Sequence, residues 1–342
     1  MSTYRRLASL ELEVGSVRLE RREAAVSSDF TRVTTTVVLE GAGCEGRGED
    51  VTYDAADHEG FPTPDLARRW TLAALSAHLR ETDLFPAGPP QRAPSRDYRR
   101  WAFESAALDL ALRQAGISLG EAVGRPYRPV RFVVSTRLDP REWLAVDPSL
   151  EFKLDPTSEW ERPFMEALAA TGRVRALDFK AYYTGTVVDQ APDADLYRAI
   201  AELFPDAVIE DAGLTEATRE ALRGAEGRLS WDAQIHSLAD VDALPIPPRF
   251  LNVKPSRFGS LERLLESIDV CEARGITMYG GGQFELGVGR GQIQALASLF
   301  YADAPNDVAP GEYNEPEPRP GLPRSPLVPP ARPLGFSWQD AA

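Results

Sequence analysis

Along the first sixty residues, polar and apolar positions alternate with a period of two. TRVTTTVVLEG (31–41) is β-branched and alternating, which predicts a strand. GCEGRGED (43–50) follows as a glycine-punctuated turn, and the pair reads as a hairpin. The period then lengthens. PTPDLARRWTLAALSAHLR (62–80) opens on cap-like residues and keeps apolar positions at helical spacing, so it is expected to be a helix. DYRRWAFESAALDLALRQAG (97–116) is a second helix, with Ala and Leu on one face and Gly116 as its stop signal. These elements predict an N-terminal α+β unit over residues 1–128.

From 129 to 303 short apolar runs recur. They are RFVVST (131–136), LEFKLD (150–155), VRALDFKAYY (174–183), DAVIED (206–211), GRLSWDA (227–233), RFLNVK (249–254), GITMYG (275–280) and QFELGV (283–288). Most are separated by helix-compatible stretches such as SLERLLESIDVCEARG. Eight strands with intervening helices fit a closed β/α barrel better than an open sheet. The last two lie too close together for a long helix between them. Residues 304–342 are proline-rich and read as an extended tail, with the aromatic GFSW (335–338) able to dock on the body.

Composition narrows the function classes. With 38 Lys+Arg against 52 Asp+Glu, the formal charge of −14 argues against a nucleic-acid footprint but leaves small anionic ligands open. Two cysteines, Cys44 and Cys271, make neither a disulfide framework nor a zinc site alone. No apolar run approaches the roughly 18 residues needed to span a bilayer. A cytoplasmic protein is the expectation, and homo-oligomerisation is left open.

In a β/α barrel the chemistry sits at the C-terminal ends of the strands. Those ends carry Lys153 and Asp155, Asp178 and Lys180, Glu210 and Asp211, Asp232, Lys254, and Glu285. Alternation puts residues i and i+2 on one side of a strand, so Lys153 faces with Asp155, and Asp178 with Lys180. Asp178, Glu210, Asp232 and Lys254 follow one another at spacings of 32, 22 and 22 residues, about one β/α unit each. Three converging carboxylates repel one another unless a cation sits among them. Hard oxygen donors suit Mg²⁺, with Mn²⁺ a workable substitute.

At this point the sequence resembles the enolase superfamily, in particular its muconate-lactonising and o-succinylbenzoate-synthase type. TTTVVLEGAGCEGRGED resembles the capping-domain hairpin, and AFESAALDLALRQAG the helix leading into the barrel. RLSWDAQIHS is similar to the fifth-strand metal segment, LNVKPSRFGSLERLLE to the sixth-strand lysine segment, and QFELGVGRG to the closing segment. The resemblance implies an enolase-like modified TIM barrel under an N-terminal α+β capping domain. It makes Asp178, Glu210 and Asp232 Mg²⁺ ligands, Lys254 the sixth-strand lysine facing a small carboxylate substrate, and Glu285 the late acidic residue beside it. It further implies abstraction of the α-proton of that carboxylate, with the metal stabilising the enediolate, as this superfamily does. A lyase, dehydratase or cycloisomerase is the expected activity; an epimerase needs bases on both faces of the carbon.

Two departures stand out. The second strand usually carries Lys-x-Lys, and here it reads Lys153-Leu154-Asp155. The third usually carries Asp-x-Asn, and here it reads Asp178-Phe179-Lys180. A compensated exchange is expected, with Lys180 projecting toward Asp155 as a base or as its charge partner. Lys153 and Lys180 read almost as well as structural ion-pair members, Lys153 with Asp155, whereas for Lys254 the site role outweighs that of a buried lysine paired with an acid. His58, His78 and His236 are read as non-catalytic, and Trp160 and Tyr183 as core residues. EAAVSSDF (23–30) and YDAADHEGF (53–61) are the expected substrate-facing capping loops. Two other classes stay open: a diverged non-catalytic member that binds a metal or acid, and an unrelated barrel using a Schiff-base lysine.

Overall fold

The computed structural model describes residues 2–26, 30–186, 188–315 and 317–338, so residues 27–29 of the first expected capping loop lie outside it. Among the described residues the N-terminal domain holds five strands: β1 (Glu11–Val14), β2 (Ser16–Val26), β3 (Phe30–Gly41), β4 (Cys44–Asp50) and β5 (Arg68–Thr71). β2, β3 and β4 form an antiparallel sheet, and β1 pairs antiparallel with β5.

Two expectations are corrected here. After Gly43 in the turn, the rest of the 43–50 segment, Cys44–Asp50, is a strand. Its glycines alternate onto the face that meets the helix Ser95–Ala115. A Cβ on Gly46 would sit 2.2 Å from the Leu110 amide nitrogen, and one on Gly48 2.1 Å from the Ala102 carbonyl oxygen. Glycine is therefore what lets the sheet lie directly on the helix. The 62–80 segment is helical only from Leu72 to Glu81. Arg68–Thr71 is drawn into a strand by β1, a tertiary pairing that overrides local period. The helix Ser95–Ala115 ends as expected, on Gly116 with φ of 68°.

The barrel contributes seven parallel strands: β6 (Val134–Thr136), β7 (Phe152–Leu154), β8 (Val174–Asp178), β9 (Val208–Glu210), β10 (Leu229–Trp231), β11 (Phe250–Val253) and β12 (Thr277–Gly280). They pair in chain order, β6 beside β7 through to β12. The expected eighth strand, 283–288, is not one. Phe284 takes φ of 53°, and Val288 starts the helix Val288–Phe300. The gap between β12 and β6 is filled instead by Asn306 and Asp307. Asn306 bridges Phe132 and Asp307 bridges Gly281, both parallel. The Asp307 amide donates to the Gly280 carbonyl at 2.8 Å, and the Val133 amide to the Asn306 carbonyl at 2.8 Å. The eighth wall is thus two residues long and lies beyond the expected barrel boundary at 303.

The C-terminal segment packs on the body. Leu327 pairs antiparallel with Val130, and Gly335 bridges Ser118 in the capping domain. Phe336 is fully buried, edge-on to Trp101 at 6.3 Å. Among the described residues no helix is long and apolar enough to cross a membrane.

Candidate active site

Alternation along the staves aims one polar residue in two at the barrel axis. Ser230 and the Tyr279 hydroxyl hydrogen-bond at 2.8 Å, Tyr279 donates on to Glu210, and Asn252 donates to both Glu210 oxygens at 3.2 and 3.3 Å. This chain crosses from β10 and β12 to β9 through the interior. Just above it, Asp178 ends β8, Glu210 ends β9, and Asp232 follows β10. All three side chains are fully buried, and each offers an oxygen within 4.8 Å of the others.

Cations surround this cage. Lys153 Nζ lies 2.5 Å from Glu210 Oε1, 3.1 Å from Asp178 Oδ2 and 3.8 Å from Asp307 Oδ2. Lys254 Nζ donates to Asp232 Oδ2 at 2.8 Å. Lys180 sits where the compensated exchange places it: it donates to Asp178 Oδ2, and its Nζ is 3.5 Å from Asp155 Oδ1. Asp155 also takes Arg137 at 3.4 Å. Lys180 and Asp211 both hold left-handed backbone, φ of 55° and 50°. Such strain in non-glycine residues persists only where surrounding structure over-determines it, and it clusters at functional sites.

Four residues near the cage were not singled out from the sequence as its partners. Arg257, on the short turn after Lys254, donates to Asp232 Oδ1 at 2.6 Å and to the Asp232 carbonyl. Tyr183, expected in the core, instead donates its hydroxyl to Asp232 Oδ2 at 2.8 Å. Asp211 accepts the backbone amides of Asp232 and Ala233 at 2.8 and 2.9 Å, which fixes the Asp232 main chain. Asp307 enters from the eighth wall. The legible signal was the KPSR turn for Arg257 and the acidic doublet at 210–211.

Other expected residues lie elsewhere. Glu285 accepts the Gln283 amide at 2.7 Å and pairs with Arg290 at 3.0 Å, so its contacts are with the closing loop and not with the carboxylate cage. Both nitrogens of His236 meet backbone carbonyls, of Arg257 and Ala233. Trp160, also expected in the core, lines a cavity of about 600 Å³ shared with Arg137, Leu154, Asp155 and Phe164.

The electrostatics follow from burial and crowding. Burial, reinforced by Asp178, Asp232 and Asp211 and only partly opposed by Lys153, pushes Glu210 up to about 8. Burial beside Asp232 and Asp178 likewise pushes Asp211 up to about 7. Asp178 moves the other way: burial would raise it, but Lys180 and Lys153 hold it well below the usual carboxylate range. Arg257 and Lys254 do the same for Asp232 against the effect of burial. Burial would lower Lys180, but Asp155 and Asp178 more than reverse this, keeping it a firmly charged ammonium.

A parallel barrel capped by an α+β domain is the fold this chain shares with solved members of the enolase superfamily. Residues 126–315 match the C-terminal domain, and residues 5–122 the N-terminal domain, of the family described as Domain of unknown function (DUF8230). The chain belongs to this family. It is 24% identical over 220 residues to o-succinylbenzoate synthase of Bacillus subtilis (strain 168), covering 60% of this chain and 57% of that relative's length. It is similar in structure to an enolase-superfamily member from Enterococcus faecalis V583, with a TM-score of 0.66, 20% identity, and 96% and 95% of the two chains covered. It is similar too to a dipeptide epimerase from Methylococcus capsulatus complexed with Mg ion, with a TM-score of 0.62, 18% identity, and 90% and 89% covered. The sequence relatives it matches thus include an o-succinylbenzoate synthase, and its structural neighbours include members of the enolase superfamily.

Proposed function

We propose that this protein removes the proton α to the carboxylate of a small organic acid, using a divalent cation held by Asp178, Glu210 and Asp232. The observation that carries the reading is the three-stave carboxylate cage, buried and converging within 4.8 Å. The crowding of acids supports a cation: Asp155, Asp178, Glu210, Asp211, Asp232 and Asp307 outnumber Lys153, Lys180, Lys254, Arg257 and Arg137 around them. All-oxygen donors suit Mg²⁺ or Mn²⁺. When bound, the ion supplies fixed positive charge against the substrate carboxylate in a site shielded from water.

The chain's own groups then divide the work. Lys254, 7% exposed and tied to a single carboxylate, is the best-placed base. Lys153 is locked between Glu210 and Asp178, and Lys180 between Asp178 and Asp155. Neither is free to take a proton from the face opposite Lys254. One-base chemistry therefore fits better than epimerisation, which favours a lyase, a dehydratase or a cycloisomerase. The cavity beside Asp155 gives the substrate's body room at the barrel rim. Arg257, Tyr183 and Asp211 hold Asp232 in place.

A second reading has one observation in its favour. Asp155 stands where the resemblance leads one to expect a lysine, and it neutralises Lys180; a binding member without turnover would tolerate that exchange. Incubating a library of carboxylic acids with the protein in D₂O, with Mg²⁺ and with EDTA, separates the two. Metal-dependent deuterium uptake at the α-carbon supports the enzyme. Acids that bind the Mg²⁺-loaded protein but never exchange would establish the binder.

A further inference from the structure

A second large cavity, of about 890 Å³, lies apart from the carboxylate cage. It sits where the capping sheet, the start of the helix Val288–Phe300 and the C-terminal segment meet. Four arginines line it: Arg22 and Arg47 from the sheet, Arg290 from the helix, and Arg324 from the C-terminal segment. Among the described residues Glu312 is its sole acidic lining residue, and Trp338 and Leu327 give it an apolar wall.

The arginines retain donors for a ligand. Arg22 has no ion pair within 4 Å among the described residues; its guanidinium donates to the Leu286 carbonyl at 3.5 Å. Arg290 spends an Nη on Glu285, and its Nε is buried without a partner. Arg324 pairs with Asp147 through Nε alone while its side chain stays 74% exposed. Arg47 pairs with Glu20 and Glu45, which lie outside the cavity lining. A guanidinium carries five N–H donors, so one ion pair leaves most of them free. Guanidinium groups lining one cavity together with an apolar wall match an oxyanion joined to an apolar body.

We propose that this groove binds a small organic oxyanion with an apolar body, a phosphate ester or a carboxylate, at a site separate from the metal cage. Arg290 gives the groove a reach beyond its own walls. An anion that draws this guanidinium competes with Glu285, whose other oxygen holds the Gln283 amide in the closing loop. Occupancy of the groove is thereby coupled to the loop spanning β12 and the next helix.

Calorimetric titration of the full chain in EDTA tests the site without the metal cage. Phenyl phosphate or phenylacetate should bind saturably, and the tighter of the two identifies the anion type. Benzyl alcohol and inorganic phosphate, each half of the pattern, should bind at least about tenfold more weakly. Arg22→Gln combined with Arg324→Gln should weaken the aromatic anion about tenfold or more, with an unchanged melting temperature. Val288→Glu, which puts a carboxylate on the lining, should do the same by an independent route. The proposal is overturned if neither aromatic anion gives saturable heat, if benzyl alcohol matches them, or if both variants bind as well as the parent.

Discussion

Replacing Lys153 with methionine keeps the volume of a side chain that is only 2% exposed and deletes its charge. Glu210 would retain Asn252 and Tyr279, and Asp178 would retain Lys180. What disappears is the ammonium that bridges the two acids, leaving one more uncompensated buried carboxylate. Removing one partner of a buried ion pair costs about 3–5 kcal/mol. With an unfolding entropy of about 2.1 cal/mol/K per residue, the 342 residues give about 0.7 kcal/mol/K. Each kcal/mol then moves the melting temperature by about 1.4 °C, so Lys153→Met should lower it by about 4–7 °C in EDTA. Calorimetric melts with and without Mg²⁺ are the assay. Mg²⁺ should raise the variant's midpoint more than the parent's, because the ion then meets a larger negative excess. A variant that melts within about 1 °C of the parent in EDTA would refute the claim that Lys153 holds the cage together.

Lys254→Ala should keep the parent's circular dichroism and lose metal-dependent deuterium exchange; unchanged exchange rates would remove it from the chemistry. Phe336→Ala empties a fully buried site against Trp101 and should cost about 3–5 kcal/mol, read as a fall in the urea midpoint. His58 is buried, with Nδ1 2.9 Å from the Thr35 hydroxyl and Nε2 2.9 Å from the Thr52 carbonyl. Burial lowers its pKa, so the unfolded chain binds the proton more readily, and this group's contribution is lost as pH falls through the ordinary imidazole range. The urea midpoints of the parent and His58→Gln should therefore converge below about pH 6.5, and a gap that stays constant from pH 8 to 5 would contradict the assignment.

The cage was legible because each acid ends an apolar run, and the runs recur at the length of one β/α unit. The Lys180–Asp155 contact was legible too, since neighbouring staves bring i+2 positions of adjacent strands together. The eighth wall was not. QFELGV alternates like a strand, whereas Asn306 and Asp307 make the wall with two polar residues that carry no hydrophobic period. Their place is fixed by backbone pairing and by the Asn306 side chain, which accepts the Gly280 amide at 2.7 Å. Local pattern also misplaced Arg68–Thr71, since its strand exists through pairing with β1. Glu285 was legible as a late acid in the closing segment, but its partner there, Arg290, five residues on, was not.

The seating of Phe336 beside Trp101 bears on how the protein is made. The helix Ser95–Ala115 leaves the ribosome more than two hundred residues before the aromatic ring that completes its packing. Until that ring arrives, the nascent N-terminal domain displays an open apolar slot, and its last step of consolidation waits for residue 336 to be synthesised. A chain that stopped short of Phe336 would keep that slot exposed, so this one late residue sets when the first domain can complete its packing.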